Sequence, residues 1–174
     1  MKIGVLSDIH DNIPNLKRAF ALFKKEKVER VVFCGDLSAP FTISYFKELG
    51  LPVWAVFGNN EGDRLGILQQ IDRYHLNFQY APKQGLMWKL NWAGKQIGVY
   101  HGHQIEILQT LVDSNRFNLL LTGHTHNPHI KTVGQTLWVN PGSVCGWTGL
   151  DAQPITPSVA TVELPSLKAQ IHHL

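Results

Sequence analysis

Hydrophobic residues along this chain come in short runs, and most of the runs stop at glycine, aspartate, asparagine or histidine. Lys2 to Leu6 reads as a short apolar strand that ends in Ser7-Asp8-Ile9-His10-Asp11-Asn12. Leu16, Ala19, Phe20 and Phe23 then recur at helical spacing, with Asn12 as N-cap and Pro14 in a first turn that tolerates it. Arg30 to Cys34 predicts a second strand, stopping at Gly35-Asp36, and a helix from about Pro40 to Leu49 ends at Gly50, a suitable C′ residue. Val53 to Phe57 predicts a third strand, closed by Gly58-Asn59-Asn60, with a helix from about Asp63 to Tyr74 after it. Strand and helix in alternation imply right-handed βαβ units and a parallel sheet, whose carboxyl edge is where ligands bind.

The second half has a different rhythm. Leu86 to Trp92 and Gln96 to Tyr100 flank Ala93-Gly94-Lys95 as a hairpin, and the second strand runs into His101-Gly102-His103. Ile105, Leu108, Leu111 and Val112 mark the apolar face of a helix. Leu119-Leu120-Leu121-Thr122-Gly123-His124-Thr125-His126 reads as a buried strand that breaks into a turn. In extended backbone that spacing puts both side chains on one face, roughly 6–7 Å apart at Cα, so both can turn toward one centre. Ile130 to Val133 and Leu137 to Val139 predict another hairpin, followed by Asn140-Pro141-Gly142-Ser143 and a loop from Gly146 to Pro157. Val159 to Glu163 and Leu167 to Ile171 close the chain as antiparallel strands, with His172-His173 as a solvated tail. With no internal repeat or linker, residues 1–174 are expected to form a single domain.

Composition narrows the function. The hydrophobic fraction is 44% and the charged fraction 17%, ordinary for a globular protein. Net charge is +3 and the basic residues are scattered, apart from Lys24-Lys25-Glu26-Lys27 at a helix end. No basic stripe is present, which argues against nucleic acid as the main partner. Met1-Lys2 runs straight into the first strand, and no run approaches a membrane span. Two cysteines give no disulfide framework, so a reduced, cytoplasmic protein is expected. The five tryptophans are scattered and read as core or interface packing rather than base stacking. Nine histidines are the unusual feature.

Five strand ends collect Asp8, His10, Asp36, Asn59, His101, His124 and His126, all oxygen or nitrogen donors. Each taken singly is a common turn residue or a hydrogen-bonded bystander. Seven donors in one chain are too many for one four-coordinate zinc and suit two metals sharing a carboxylate. Asp36 is the natural bridge, having two oxygens to give. Two dications carry +4, Asp8 and Asp36 return −2, and a bridging hydroxide leaves about +1, a centre that attracts phosphate and favours deprotonated water.

The order Asp-x-His, Gly-Asp, Gly-Asn-x-Glu, His-Gly-His, Gly-His-Thr-His resembles the calcineurin-like metallophosphoesterase superfamily. Asn140-Pro141-Gly142-Ser143 and the short length are similar to its small bacterial and archaeal phosphodiesterase branch. The resemblance spans roughly Met1 to Ser143. It implies an α/β fold, a four-layer α/β/β/α sandwich of two mixed sheets flanked by helices. Asp8, His10, Asp36 and His126 would hold one metal, and Asp36, Asn59, His101 and His124 the other. The implied activity is phosphodiester hydrolysis with a metal-bridging hydroxide as nucleophile. The imidazoles favour Mn²⁺ first, with Fe²⁺, Zn²⁺ or Ni²⁺ as alternatives, over Mg²⁺.

One position departs from the family pattern. Many relatives have Gly-Asn-His-Glu where this chain has Gly58-Asn59-Asn60-Glu61, and the histidine there is assigned to the leaving group or a phosphate oxygen. Asn60 can donate a hydrogen bond to substrate but transfers no proton near neutral pH. Glu61 is placed to orient an imidazole at position 60. His103 is the other candidate for substrate binding and proton transfer. Asn140 and Ser143 are read either as pocket-lining residues or as a tight turn. A small phosphoester substrate is expected, and a homo-oligomer stays open. The alternative function is a protein-binding scaffold resembling the small retromer subunit, a fold relative with eroded metal motifs. Here none of the seven donor positions is eroded.

Overall fold

The computed structural model describes residues 1–82, 86–149 and 151–174. Leu150, inside the expected 146–157 loop, lies outside the described residues. The first sheet has the order β11-β10-β1-β2-β3-β4. Its strands are β1 (Lys2–Leu6), β2 (Arg30–Phe33), β3 (Val53–Ala55), β4 (Phe78–Tyr80), β10 (Ser158–Glu163) and β11 (Lys168–His173). β1 to β4 run parallel, β10 pairs antiparallel with β1, and β11 pairs antiparallel with β10. The second sheet, β5-β6-β7-β9-β8, contains β5 (Met87–Trp92), β6 (Lys95–Tyr100), β7 (Leu119–Leu121), β8 (His129–Val133) and β9 (Thr136–Asn140). β6, β7 and β9 are parallel, and β5 and β8 are antiparallel edges. Both sheets are therefore mixed.

Side-chain alternation builds the layers. Ile3, Val5, Val32 and Cys34 point between the sheets, where they meet Ile97, Val99, Leu119, Leu121 and Val139. Leu6, Val31 and Phe33 face the other way, onto α1 (Ile13–Lys25) and a 3₁₀ helix (Pro40–Glu48). Parallel strands buried on both faces leave near-continuous apolar runs, which is why their ends were legible. Gly4 lets Phe23 of α1 lie directly on β1, since a Cβ there would sit 2.9 Å from the ring. On the second sheet Tyr100, Phe117 and Leu120 pack with Leu108 and Val112 of α3 (Ile105–Asp113). Helix, sheet, sheet, helix is the expected four-layer sandwich.

The local expectations met several corrections. Asn12 does cap α1, its Oδ1 accepting from Asn15 N at 3.2 Å, and α2 (Arg64–Arg73) follows an Asp63 cap. Pro40–Glu48, however, is 3₁₀ rather than α. Ile43 and Phe46, three apart and both buried, stand one above the other at three residues per turn. Asp11 Oδ1 also ties down its start, accepting from Ala39 N at 3.1 Å and from Thr42 Oγ1. β4 went unread because three residues with one exposed glutamine carry too little pattern. His172 and His173 are no solvated tail: they end β11, and His172 Nε2 lies 2.9 Å from Thr161 Oγ1 across the pair.

Candidate metal centre

β1, β2 and β3 end side by side in one sheet, and β6 and β7 in the other, so the seven predicted donors meet where the two carboxyl edges face each other. Among the described residues two donor sets form, Asp8 with His10 and His126, and Asp36 with His101 and His124. Within each set the donor atoms lie within 4.8 Å of one another. Asn59 joins the second set, its Oδ1 3.0 Å from His101 Nε2. The two oxygens of Asp36 face different sets: Oδ1 lies 3.4 Å from His101 Nε2 and Oδ2 lies 3.6 Å from His10 Nε2.

His124 and His126 go to different donor sets, as the family resemblance implies. β7 stops at Leu121, and both imidazoles stand on left-handed residues, with φ of 67° and 56°. The turn sends His124 toward Asp36 and His126 toward Asp8. Asp8, His10 and Asp36 are left-handed too, with φ of 54°, 42° and 64°. Non-glycine residues in that region cost of order 1–3 kcal/mol each and gather where function over-determines the backbone. Two glycines give the loops room. A Cβ on Gly58 would lie 2.1 Å from Asp36 Oδ1, and one on Gly123 would lie 1.8 Å from Ser7 Oγ.

The donor atoms are presented as ligands. His101 Nδ1 donates to Cys34 O at 2.7 Å and His126 Nδ1 donates to Trp147 O at 2.5 Å, which leaves each Nε2 facing the centre. Among the described residues Asp8 Oδ1 and His10 Nε2 are buried without a hydrogen-bond partner, although His126 Nε2 approaches Asp8 Oδ1 to 3.3 Å. Buried polar atoms left unmatched at a cluster of hard donors fit a cation between them. Octahedral donors about 2.1 Å from an ion stand ~3.0 Å apart, and the observed 3.0–3.9 Å spacings are of that order.

Charge is distributed to match. Burial raises the Asp36 carboxyl, but His101 and two Asn60 donors outweigh it and hold Asp36 well below the usual range. Burial lowers His126, yet the Asp8 carboxylate and the Cys145 and Trp147 contacts carry it up to about 10. His101 is raised in the same way against burial, mainly by Asp36 and Asp8. His10 and His124 are lowered, by burial first.

The remaining candidates fall into place around these. Asn60 N and Nδ2 donate to Asp36 Oδ1 at 2.9 Å and Oδ2 at 2.8 Å, so its side chain holds the carboxylate from the cavity side. Glu61 is not free to orient a ring at position 60. It is buried and accepts from Gly58 N (2.6 Å), Asp36 N (2.6 Å) and Leu37 N (3.1 Å), tying the β2 and β3 loops together. His103 is half-buried, with its ring centroid 5.6 Å from that of His101, and burial with His101 and His124 lowers its pKa. Asn140 and Ser143 serve the turn: Asn140 Nδ2 donates to Gly123 O at 2.7 Å and Ser143 Oγ to Asp8 O at 3.0 Å. Neither lines the cavity over the donors, a space of about 1120 Å³ bordered also by Asn12, Thr125, Cys145, Trp147 and Thr148. Trp147 and Cys145 were missed as site residues. A backbone carbonyl holding His126 leaves no mark in the sequence.

The calcineurin-like phosphoesterase superfamily domain matches residues 1–166. The chain belongs to that family, and with it to the phosphoester hydrolases. It is 32% identical over 151 residues to a phosphodiesterase of Methanocaldococcus jannaschii, covering 86% of this chain and 89% of the relative. A phosphodiesterase of Escherichia coli is 28% identical over 158 residues, covering 83% and 79%. Among solved structures, one described as a novel archaeal phosphodiesterase superposes with a TM-score of 0.87 at 28% identity, covering 100% of both chains. Vps29 of Entamoeba histolytica, solved with zinc, shares the fold with a TM-score of 0.69 at 20% identity, covering 100% of this chain and 98% of that one.

Proposed function

We propose that this protein is a phosphodiesterase with a centre of two divalent transition-metal ions bridged by Asp36. The observation that carries the reading is the pair of donor sets on either side of Asp36, with Asp8 Oδ1 and His10 Nε2 buried and given no hydrogen-bond partner among the described residues. Asp8, His10, Asp36 and His126 would hold one ion, and Asp36, Asn59, His101 and His124 the other. Bound there, the ions would acidify a water to hydroxide at neutral pH and offset the charge on the phosphoryl oxygens. The protein's own part is to fix the donors, through Cys34 and Trp147 carbonyls on two imidazoles and Asn60 on Asp36. His103 is the candidate for substrate binding and proton transfer, standing beside His101 and His124 with a buried Nδ1 that has no partner among the described residues. The relatives' phosphodiesterase names support a diester substrate.

Four imidazoles favour Mn²⁺ over Mg²⁺, with Fe²⁺, Zn²⁺ and Ni²⁺ next. The test is a panel of phosphodiesters and monoesters assayed after chelation and reloading. Chelation is expected to abolish hydrolysis and Mn²⁺ to restore it better than Mg²⁺; full recovery with Mg²⁺ alone would remove the inner-sphere role of the histidines. Hydrolysis by the metal-loaded protein separates the enzyme from the scaffold reading, which predicts none. Two buried, unpaired cysteines support a reducing, cytoplasmic setting. Among the described residues no helix is long and apolar enough to cross a membrane.

A further inference from the structure

We propose that Trp147 selects the organic group of the substrate, and that this group is flat, aromatic and free of further negative charge. The inference rests on the phosphodiesterase reading above. Three observations lead to it. The cavity over the donors, about 1120 Å³, is as large as pockets that enclose drug-sized ligands, far more than a phosphate fills. Trp147 borders that cavity with 50% of its surface open. The other four tryptophans are engaged: Trp54 and Trp92 pack edge to face, Trp88 Nε1 donates to Ala55 O, and Trp138 Nε1 donates to Thr122 Oγ1. Trp147, expected from the sequence to serve packing, makes no ring–ring contact and no indole hydrogen bond among the described residues.

The backbone that carries the indole is also tied to the centre. Trp147 O accepts the His126 Nδ1 proton, so the residue that presents the indole fixes a proposed metal ligand. Its loop is closed by a Trp147–Pro154 bridge and by hydrogen bonds from Thr148 N to Gln153 O (2.9 Å) and Ile155 N to Gly146 O (3.0 Å). A half-open aromatic face on the wall of the cavity favours a flat partner, since offset or edge contacts between rings gain beyond their area. The charge of the walls limits that partner. No lysine or arginine is among the described residues that line the cavity, and Asp151 adds a carboxylate at its rim. Nothing there pairs a second anion.

The experiment keeps p-nitrophenolate as leaving group and varies the other ester among methyl, phenyl and thymidine 5′-yl, using Mn²⁺-loaded protein. Wild type is expected to favour phenyl or thymidyl over methyl about tenfold in kcat/KM, mostly through KM. Trp147→Ala should cut that preference by about fivefold to tenfold, and Trp147→Phe should retain most of it. A gain for both aromatic esters marks a general flat-ring site, and a gain for thymidyl alone marks a nucleobase; either supports the proposal. A second arm measures binding of methyl phenylphosphonate against methyl methylphosphonate, both monoanions, by calorimetry, with the same order expected. An aromatic preference that is absent in wild type, or unchanged in Trp147→Ala, overturns the proposal. If no ester is hydrolysed, the phosphodiesterase reading falls, and the phosphonate pair still decides the role of Trp147.

Discussion

Each oxygen of Asp36 faces a different imidazole, and both also accept hydrogen bonds from Asn60. Replacing one oxygen by an amide NH₂ leaves the shape nearly unchanged but removes the charge shared by the two donor sets. Asp36→Asn is therefore expected to lower occupancy at both metal positions and reduce hydrolysis at least a thousandfold, with the circular dichroism spectrum retained; metal analysis showing loss at one position only, with activity kept, would place the bridge elsewhere. Asn60 supplies a second prediction. It transfers no proton, so departure of a basic alkoxide depends on other help, and general-acid assistance is typically worth ~10²–10⁴-fold. Asn60→His should flatten the dependence of log rate on leaving-group pKa and raise monoester hydrolysis. Equal slopes in mutant and wild type would assign the proton to His103. At this scale the donors were legible, because Asp and His at the ends of apolar runs are chemically loud. Glu61 was read as orienting a ring, yet it serves three backbone N–H groups, and such a role depends on how two loops approach in space.

The loops that carry the donors owe their shape to neighbours as much as to their own residues. Gly58 Cα lies so close to Asp36 and His101 that a methyl group there would meet Oδ1 at 2.1 Å and Nε2 at 2.8 Å. Asp36 cannot retreat without breaking its Asn60 hydrogen bonds, so Gly58→Ala should destabilise by ~1–3 kcal/mol and weaken metal binding about tenfold or more. Thermal melts and metal titration check this, and a variant that loads metal as wild type would show the close approach to be dispensable. The strands could be read because burial on both faces writes runs such as Val31-Val32-Phe33 into the sequence. The 3₁₀ helix and the left-handed turns could not. Their geometry is set by tertiary partners such as Asp11 and Gly123, and the H-x-H spacing alone does not separate His124 from His126, which only the family resemblance assigned to different donor sets.

Taken across the molecule, each donor set draws on both sheets: Asp8 and His10 with His126, and Asp36 with His101 and His124. Metal bound there ties the two carboxyl edges together, and binding only to the folded chain stabilises it by about 4 kcal/mol at a thousandfold excess over Kd. The size of that gain depends on pH, and its sign follows from the imidazoles. His126, raised to about 10 in the metal-free protein, carries a proton throughout the neutral range, and His101 is shifted the same way. The stabilisation that protonated His126 gives the metal-free fold is complete below the ordinary histidine range and is lost as pH rises toward 10. A metal ion must displace that proton, so its affinity rises about tenfold per pH unit for each proton released. Raising the pH from 7 to 9 is thus expected to weaken the metal-free protein and tighten the loaded one. The gap in Tm between them, measured with Zn²⁺ at fixed free concentration, should widen over this range, with proton release detected by calorimetry in buffers of different ionisation enthalpy. A gap that narrows with rising pH, or binding without proton release, would mean that His126 keeps its proton beside Asp8 and is not a ligand.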